Sequence, residues 1–179
     1  YPHMIRTGTG QIMVVWSEHN QCLFRALSEA PLSLKGNWDI KEILEGYEAT
    51  YPMPVATDNG AIYVFYRQTM GIDDRPELYI KSMDNGLTWT TAVNAIKHTD
   101  VRPDNLNEIY VGTVKHESAH AGRPEKLHIS WSIAGGGPEG PKHNRYHKNV
   151  YYSYLNLTNE HFYNAAGFDL GTSINNSDS

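Results

Sequence analysis

Cysteine is almost missing from this chain: Cys22 is the only one in 179 residues. No disulfide can close within the chain, and a lone thiol in the apolar run CLFRAL reads as a buried core group. Long apolar runs are missing as well. Nothing approaches the roughly 18 consecutive residues that a membrane-spanning helix needs, so no membrane partner is expected. Positive charge is in deficit, with 15 Lys and Arg against 20 Asp and Glu and a formal charge of −5. Without a Lys/Arg stripe there is little to follow phosphates, which argues against nucleic acid. Helix signals are scarce too; only Asp39 to Glu45 reads as a helical turn or two. The chain opens on Tyr1 with no leader pattern, so any targeting segment is expected upstream. What is plentiful is polar aromatics: twelve Tyr, four Trp and nine His. Such side chains pair a flat apolar face with a hydrogen-bonding edge, which suits sugar binding and suits β-strands equally well.

The stretch Tyr51 to Arg67, YPMPVATDNGAIYVFYR, lies without a gap on Tyr1 to Ser17, YPHMIRTGTGQIMVVWS, fifty positions earlier. Gly60 falls on Gly10, Ile62 on Ile12, Val64 on Val14 and Tyr66 on Trp16. A looser copy begins at Tyr110 (YVGTV) and resumes at Leu127 (LHISWS), with Trp131 in the place of Trp16. Self-similarity at about 50 residues marks a repeat architecture. Each copy reads as a hairpin: an extended segment, a turn rich in Gly, Asp and Asn, then a strand of alternating large residues. The fold class predicted is all-β, a β-propeller with four-stranded antiparallel blades. About three blades are present, over residues 1–45, 47–97 and 108–167, so a partial propeller fills 1–171. Residues 172–179 read as a frayed polar tail. Propellers close with about four to eight blades, so the chain is expected to be part of a longer one.

Antiparallel pairing sorts the residues by end. Tyr1, Tyr51 and Tyr110 start strands, and His19 and Arg67 lie at the ends of the strands that return beside them. The loop AGGGPEGPKHNRYHKN brings His143, Arg145, Tyr146 and His147 to the same rim, and His3 lies close to its own strand start. Arginine is permanently charged and grips carboxylates bidentately, so Arg67 is a candidate to hold an acidic sugar. Histidine titrates near neutrality and can take a proton, and tyrosine can supply one. The turns TGTG, TDNG and SMDNG belong to the other rim, with the insertion HESAHAGRPEK. His116 to His120 satisfies HExxH, which binds zinc when both histidines share a helix face. Here it follows a strand at once and is cut off by Gly122 and Pro124, so it is read as an incidental loop sequence, and no metal or cofactor is assigned.

Ser82 to Trp89, SMDNGLTW, resembles the Asp-box of the BNR repeat, S-x-D-x-G-x-T-W, at every defined position. Asp84 can cap the turn amides, Gly86 can take a positive φ and Trp89 can pack the hairpin, which makes it a folding device. With YP plus GAIYVFYR, and LHISWSIAGGG followed by HNRYHKNVYYSY, the chain resembles the BNR-4 group of propellers over Tyr1 to about Gly171. Within that group it is similar to the β-propeller polysaccharide lyases, among them ulvan and rhamnosyl-glucuronate lyases. The resemblance implies a seven-bladed protein acting outside the cell on an acidic polysaccharide. It also implies β-elimination at a uronic acid: the carboxylate is neutralised, the C5 proton is removed and the 4-O leaving group is protonated.

Carried over by position, Tyr51 matches the catalytic Tyr of that group, Arg67 its carboxylate-binding Arg, and His19 the second of two histidines in the preceding blade. His3 is the nearest match to the first histidine, at a shorter spacing. Tyr110 matches a further active-site Tyr, and His147, with His143 beside it, a substrate contact. No cofactor is implied, and a structural cation is left open. Two other readings stand beside the lyase. A sialidase-like glycoside hydrolase would need an arginine triad and a Tyr–Glu pair, and Arg6 lies in YPHMIR rather than in the expected context. A non-catalytic carbohydrate-binding propeller is the other, because fold does not fix function.

Overall fold

The structure is a computed structural model that describes residues 2–70, 75–97, 106–135 and 147–175; all regular structure among them is β-strand. In chain order the strands are β1 (His3–Arg6), β2 (Ile12–Ser17), β3 (Gln21–Ser28), β4 (Trp38–Ala56), β5 (Ile62–Gln68), β6 (Glu77–Ser82) and β7 (Val93–Lys97). Then follow β8 (Leu106–Glu117), β9 (Lys126–Gly135), β10 (His147–Asn156), β11 (His161–Asn164), β12 (Asp169–Gly171) and β13 (Ile174–Asn175). The chain forms two compact units, Tyr1–Gln68 with Tyr79–Val93, and Thr69–Leu78 with Asn94–Ser179.

In the first unit β1 to β5 follow one another as antiparallel neighbours. The internal repeat is visible in the ladder itself. Arg6 pairs with Ile12 and His3 with Val15; Ala56 pairs with Ile62 and Met53 with Phe65, the same register fifty residues on. The two turns are duplicates as well. Gly10 N donates to Thr7 O at 2.9 Å and Gly60 N to Thr57 O at 3.0 Å, and both glycines have φ of 84°, a conformation that favours a residue without Cβ. The core of this unit is built by Met13, Val15, Leu23, Ile62, Val64, Phe65 and Ile80, all 0% exposed.

Strand β4 corrects one expectation. Asp39 to Glu45 is not helical: Asp39, Ile40, Lys41 and Glu42 pair with Leu27, Ala26, Arg25 and Phe24 of β3. Helix propensity over seven residues is a weak prior, and a neighbouring strand that offers backbone partners in register overrides it. β4 pairs with β3 through its first part and with β5 from Ala49 onward, so one strand serves both hairpins.

Between β6 and β7 the SMDNGLTW turn is held by its own side chains. Asp84 Oδ1 accepts from Leu87 N at 3.2 Å and Thr88 N at 2.9 Å, and Oδ2 accepts from the Thr88 hydroxyl at 2.6 Å. Ser82 Oγ accepts from Gly86 N at 2.8 Å. The bonds to Asp84, the Thr88 hydroxyl foremost, hold its carboxyl at about 2, below the ordinary 3.8. A Cβ on Gly86 would collide with the Met13 side-chain methyl. Thr88 and Trp89 belong to the turn, and β7 starts at Val93.

In the second unit one sheet runs β12-β11-β10-β9-β8, one strand more than the four expected. Leu127, Ile133, Leu155 and Phe162 are 0% exposed and form its core. The tail expected to fray is anchored in part. Ile174, 1% exposed, pairs in parallel with Ile96 of β7, and Asn175 with Lys97. An edge strand offers unpaired backbone groups to any passing segment, and Ile174 supplies an apolar side chain to bury.

Candidate active site

Tyr51, Arg67 and His19 lie together in the first unit. The β4–β5 ladder sets Thr50 opposite Arg67, then slips register between Thr50 and Met53. At that irregularity Tyr51 takes φ of 56°. A bulky residue in the left-handed region is a genuine outlier, of the kind the surrounding fold must hold in place. The Arg67 guanidinium carbon lies 4.9 Å from the centre of the Tyr51 ring. The His19 ring approaches the same tyrosine edge-on, at 6.0 Å between centroids and 65° between planes. His19 is exposed, Tyr51 half-buried and Arg67 only 1% exposed. Burying a guanidinium costs several kcal/mol before compensation, and the aromatic face returns about 1–2 kcal/mol of cation–π attraction. Together the three offer a solvent-accessible imidazole, a phenol and a fixed buried cation.

The turn that carries His19 is tied to the strand that carries Tyr51. Ser17 Oγ donates to Ala49 O at 3.0 Å. Asn20 N donates to Thr50 Oγ1 at 3.0 Å, and that hydroxyl donates to Asn20 Oδ1, also at 3.0 Å. Sequence reasoning passed over Ser17, Asn20 and Thr50. Asn20, with φ of 56°, carried the one usable signal, since Asn tolerates that region in turns.

The second unit brings together Tyr110 and His147, whose rings meet edge-on at 4.9 Å. Ser132, opposite Tyr110 in the β8–β9 ladder, places its Oγ 3.3 Å from His147 Nδ1. His143 lies outside the described residues. His3 is exposed at the first position of β1.

The HExxH segment is extended rather than helical. His116 and Glu117 end β8 and His120 lies beyond it in the following turn. His116 Nε2 lies 2.6 Å from Glu125 Oε1, and Glu117 Oε2 lies 2.5 Å from His128 Nε2. Hydrogen bonding to His128 holds the Glu117 carboxyl below its usual range. The two histidines of the motif thus lack the shared helix face that zinc proteases use.

Hairpins repeated in one register, with no helix among the described residues, define an all-β, propeller-like repeat protein. The family described as "BNR repeat-containing family member" matches residues 1–179, and the chain belongs to it. Among curated proteins it is 28% identical over 152 residues to an ulvan lyase of Alteromonas sp. (strain LOR), covering 83% of this chain and 30% of that protein. It matches "Ulvan Lyase-PL25" of Pseudoalteromonas sp. (strain PLSV) at the same 28%, with the same coverage. The chain therefore spans 30% of the length of these two relatives. Among solved structures, a PL25 ulvan lyase bound to -[GlcA(1-4)Rha3S]- superposes with a TM-score of 0.77 at 22% identity, over 99% of this chain and 43% of that one. A Hadza microbial sialidase superposes with a TM-score of 0.53 at 16% identity, over 74% of this chain and 32% of that one. At such identities the likeness is one of fold. The sequence relatives place the chain in a repeat family similar to polysaccharide lyases.

Proposed function

We propose that this chain is part of a polysaccharide lyase that cleaves a uronic-acid-containing polysaccharide by β-elimination, and that Tyr51, Arg67 and His19 carry the reaction. The observation that supports it is the grouping itself: a cation 4.9 Å from a phenol ring that an imidazole meets at 6.0 Å, in a chain whose relatives are named ulvan lyases.

The chemistry needs each of them. A C5 hydrogen beside an ionised carboxylate is a very weak acid, and positive charge nearby stabilises the enolate that forms when it leaves. Interactions of that kind contribute about 3–4 kcal/mol in a water-poor site. Arg67 supplies the charge from a buried position behind the Tyr51 ring. His19 takes the C5 proton. The electron pair becomes the C4=C5 double bond, the C4–O bond breaks, and the Tyr51 hydroxyl protonates the departing oxygen. Solvent then returns a proton to Tyr51 and removes one from His19. Tyr110 and His147 are proposed as further substrate contacts, with His3 and His143 as candidates for the same role. Blades of four strands, three in this chain, remain the architecture we propose for the repeats. An enzyme for an extended polysaccharide of this kind would work outside the cell.

The test is incubation with ulvan, followed by ultraviolet absorbance. Elimination creates a double bond conjugated with the carboxylate and absorbance rises. Hydrolysis by a sialidase-like enzyme releases reducing ends without that rise, and simple binding does neither. Arg67→Ala should abolish the signal in a folded protein. Absorbance that survives Arg67→Ala removes Arg67 from the mechanism, and reducing ends without absorbance remove the lyase.

A further inference from the structure

We propose that Thr50 is a positioning residue whose single buried hydroxyl holds the His19 turn against the Tyr51 bulge. The consequence for turnover rests on the lyase reading above, whereas the clip rests on geometry alone.

Thr50 is 0% exposed. It precedes Tyr51 directly and faces Arg67 across the ladder, so it touches the strand segments of both residues. Its side chain reaches the third. Thr50 Oγ1 accepts from Asn20 N and donates to Asn20 Oδ1, each at 3.0 Å, and Asn20 follows His19. A hydroxyl has one proton to give, and this one is committed to Asn20. Both residues flanking the clip's business end, Asn20 and Tyr51, take φ of 56°. Non-glycine residues stay in that region only where neighbours hold them. The second tether, from Ser17 Oγ to Ala49 O at 3.0 Å, leaves the turn fixed at its other end. Without the Thr50 hydroxyl the turn keeps the Ser17 tether, its own Gln21 N to Glu18 O bond at 3.3 Å and the Gln21–Ala49 ladder pair, while Asn20 loses both of its bonds to the residue that precedes Tyr51.

Valine has the shape of threonine and lacks the hydroxyl; serine keeps the hydroxyl and lacks the methyl. Backbone pairing of residue 50 with Arg67 is open to both. The experiment compares Thr50→Val and Thr50→Ser in the full-length protein by two readouts: the nuclear Overhauser effect between the His19 and Tyr51 rings, and turnover of ulvan. Thr50→Val should lose the ring-to-ring effect and lower kcat about tenfold to a hundredfold while KM moves less than about threefold, as misplacement of a reacting group does. Thr50→Ser should keep the effect and stay within about threefold of wild-type kcat. The clip is refuted if Thr50→Val keeps the ring contact, if Thr50→Ser is as impaired as Thr50→Val, or if the loss merely follows the unfolded fraction in a thermal melt. Should the full-length wild-type protein yield no unsaturated product, the lyase reading falls, and the ring contact still decides the clip.

Discussion

Arg25 and Arg67 are both sealed inside the first unit, 0% and 1% exposed, and they are employed differently. Arg25 faces oxygen. Its Nε donates to Gly86 O at 2.9 Å, Nη1 donates to Asp39 O at 2.6 Å and Nη2 pairs with Asp39 Oδ2 at 2.8 Å. It straps the SMDNGLTW turn to the start of β4, and the contact holds the Asp39 carboxyl below its usual range. Arg67 presents its guanidinium to an aromatic ring at 4.9 Å, on a residue in the left-handed region. A cation wrapped in carbonyl and carboxylate oxygen is a strut. One set against a phenol at a backbone irregularity is the cation to which we assign the substrate carboxylate.

Substitution should separate the two. Arg25→Ala removes a fully buried side chain and leaves Gly86 O and Asp39 O without their donor. We expect a loss of about 2–5 kcal/mol in chemical denaturation, in the range of large-to-small core changes. Any activity of the folded fraction should be intact. Arg67→Met keeps the volume and removes the charge. Removing one member of a buried charge pair is destabilising, by about 3–5 kcal/mol, so its turnover is compared on the folded fraction. Its turnover should fall about 10²–10³-fold, as for loss of one electrostatic stabiliser. If folded Arg67→Met keeps its turnover and folded Arg25→Ala loses it, the assignment is reversed.

The difference between these arginines could not be read from sequence, and the reason is physical. What sequence carried well was pairing: the alignment of Tyr51 to Arg67 on Tyr1 to Ser17 is reproduced by ladders in identical register. Register follows from alternation and turn chemistry, which are local. Burial of Arg67, the φ of Tyr51 and the reach of Thr50 to Asn20, thirty residues away, arise from tertiary placement. No pattern of spacing encodes them. The helical reading of Asp39 to Glu45 failed for the same reason, since β3 supplied partners that a propensity scale does not see. Likewise Ile174 looked like part of a polar end until β7 gave it a ladder.

A milder way to loosen the strut is through its acceptor. Gly86 has φ of 85° and a Cβ there would strike Met13. Gly86→Ala should cost about 1–3 kcal/mol, chiefly for holding a Cβ-bearing residue at positive φ, and leave the Tyr51 group undisturbed. A variant with full stability would mean that the turn adjusts freely and that Arg25 tolerates a shifted carbonyl.

The smallest effect expected belongs to Asp84. Its carboxyl is held at about 2 against an ordinary 3.8 by the Thr88 hydroxyl, then by the Thr88 amide, Ser82 and the Leu87 amide. A folded-state value below the unfolded one contributes stability above the unfolded value, and the contribution is lost as pH falls through the folded value. Stability should therefore decline between about pH 4 and about pH 2 for this group. Asp39, Glu117 and Asp169 also titrate below their usual range, so the informative quantity is the difference between wild type and Asp84→Asn. Asparagine cannot ionise, and its pH slope over that interval should be shallower. An identical slope in Asp84→Asn would show that the carboxylate is not what holds the loop, and the strut would have to be traced to Ser82 and Arg25 alone.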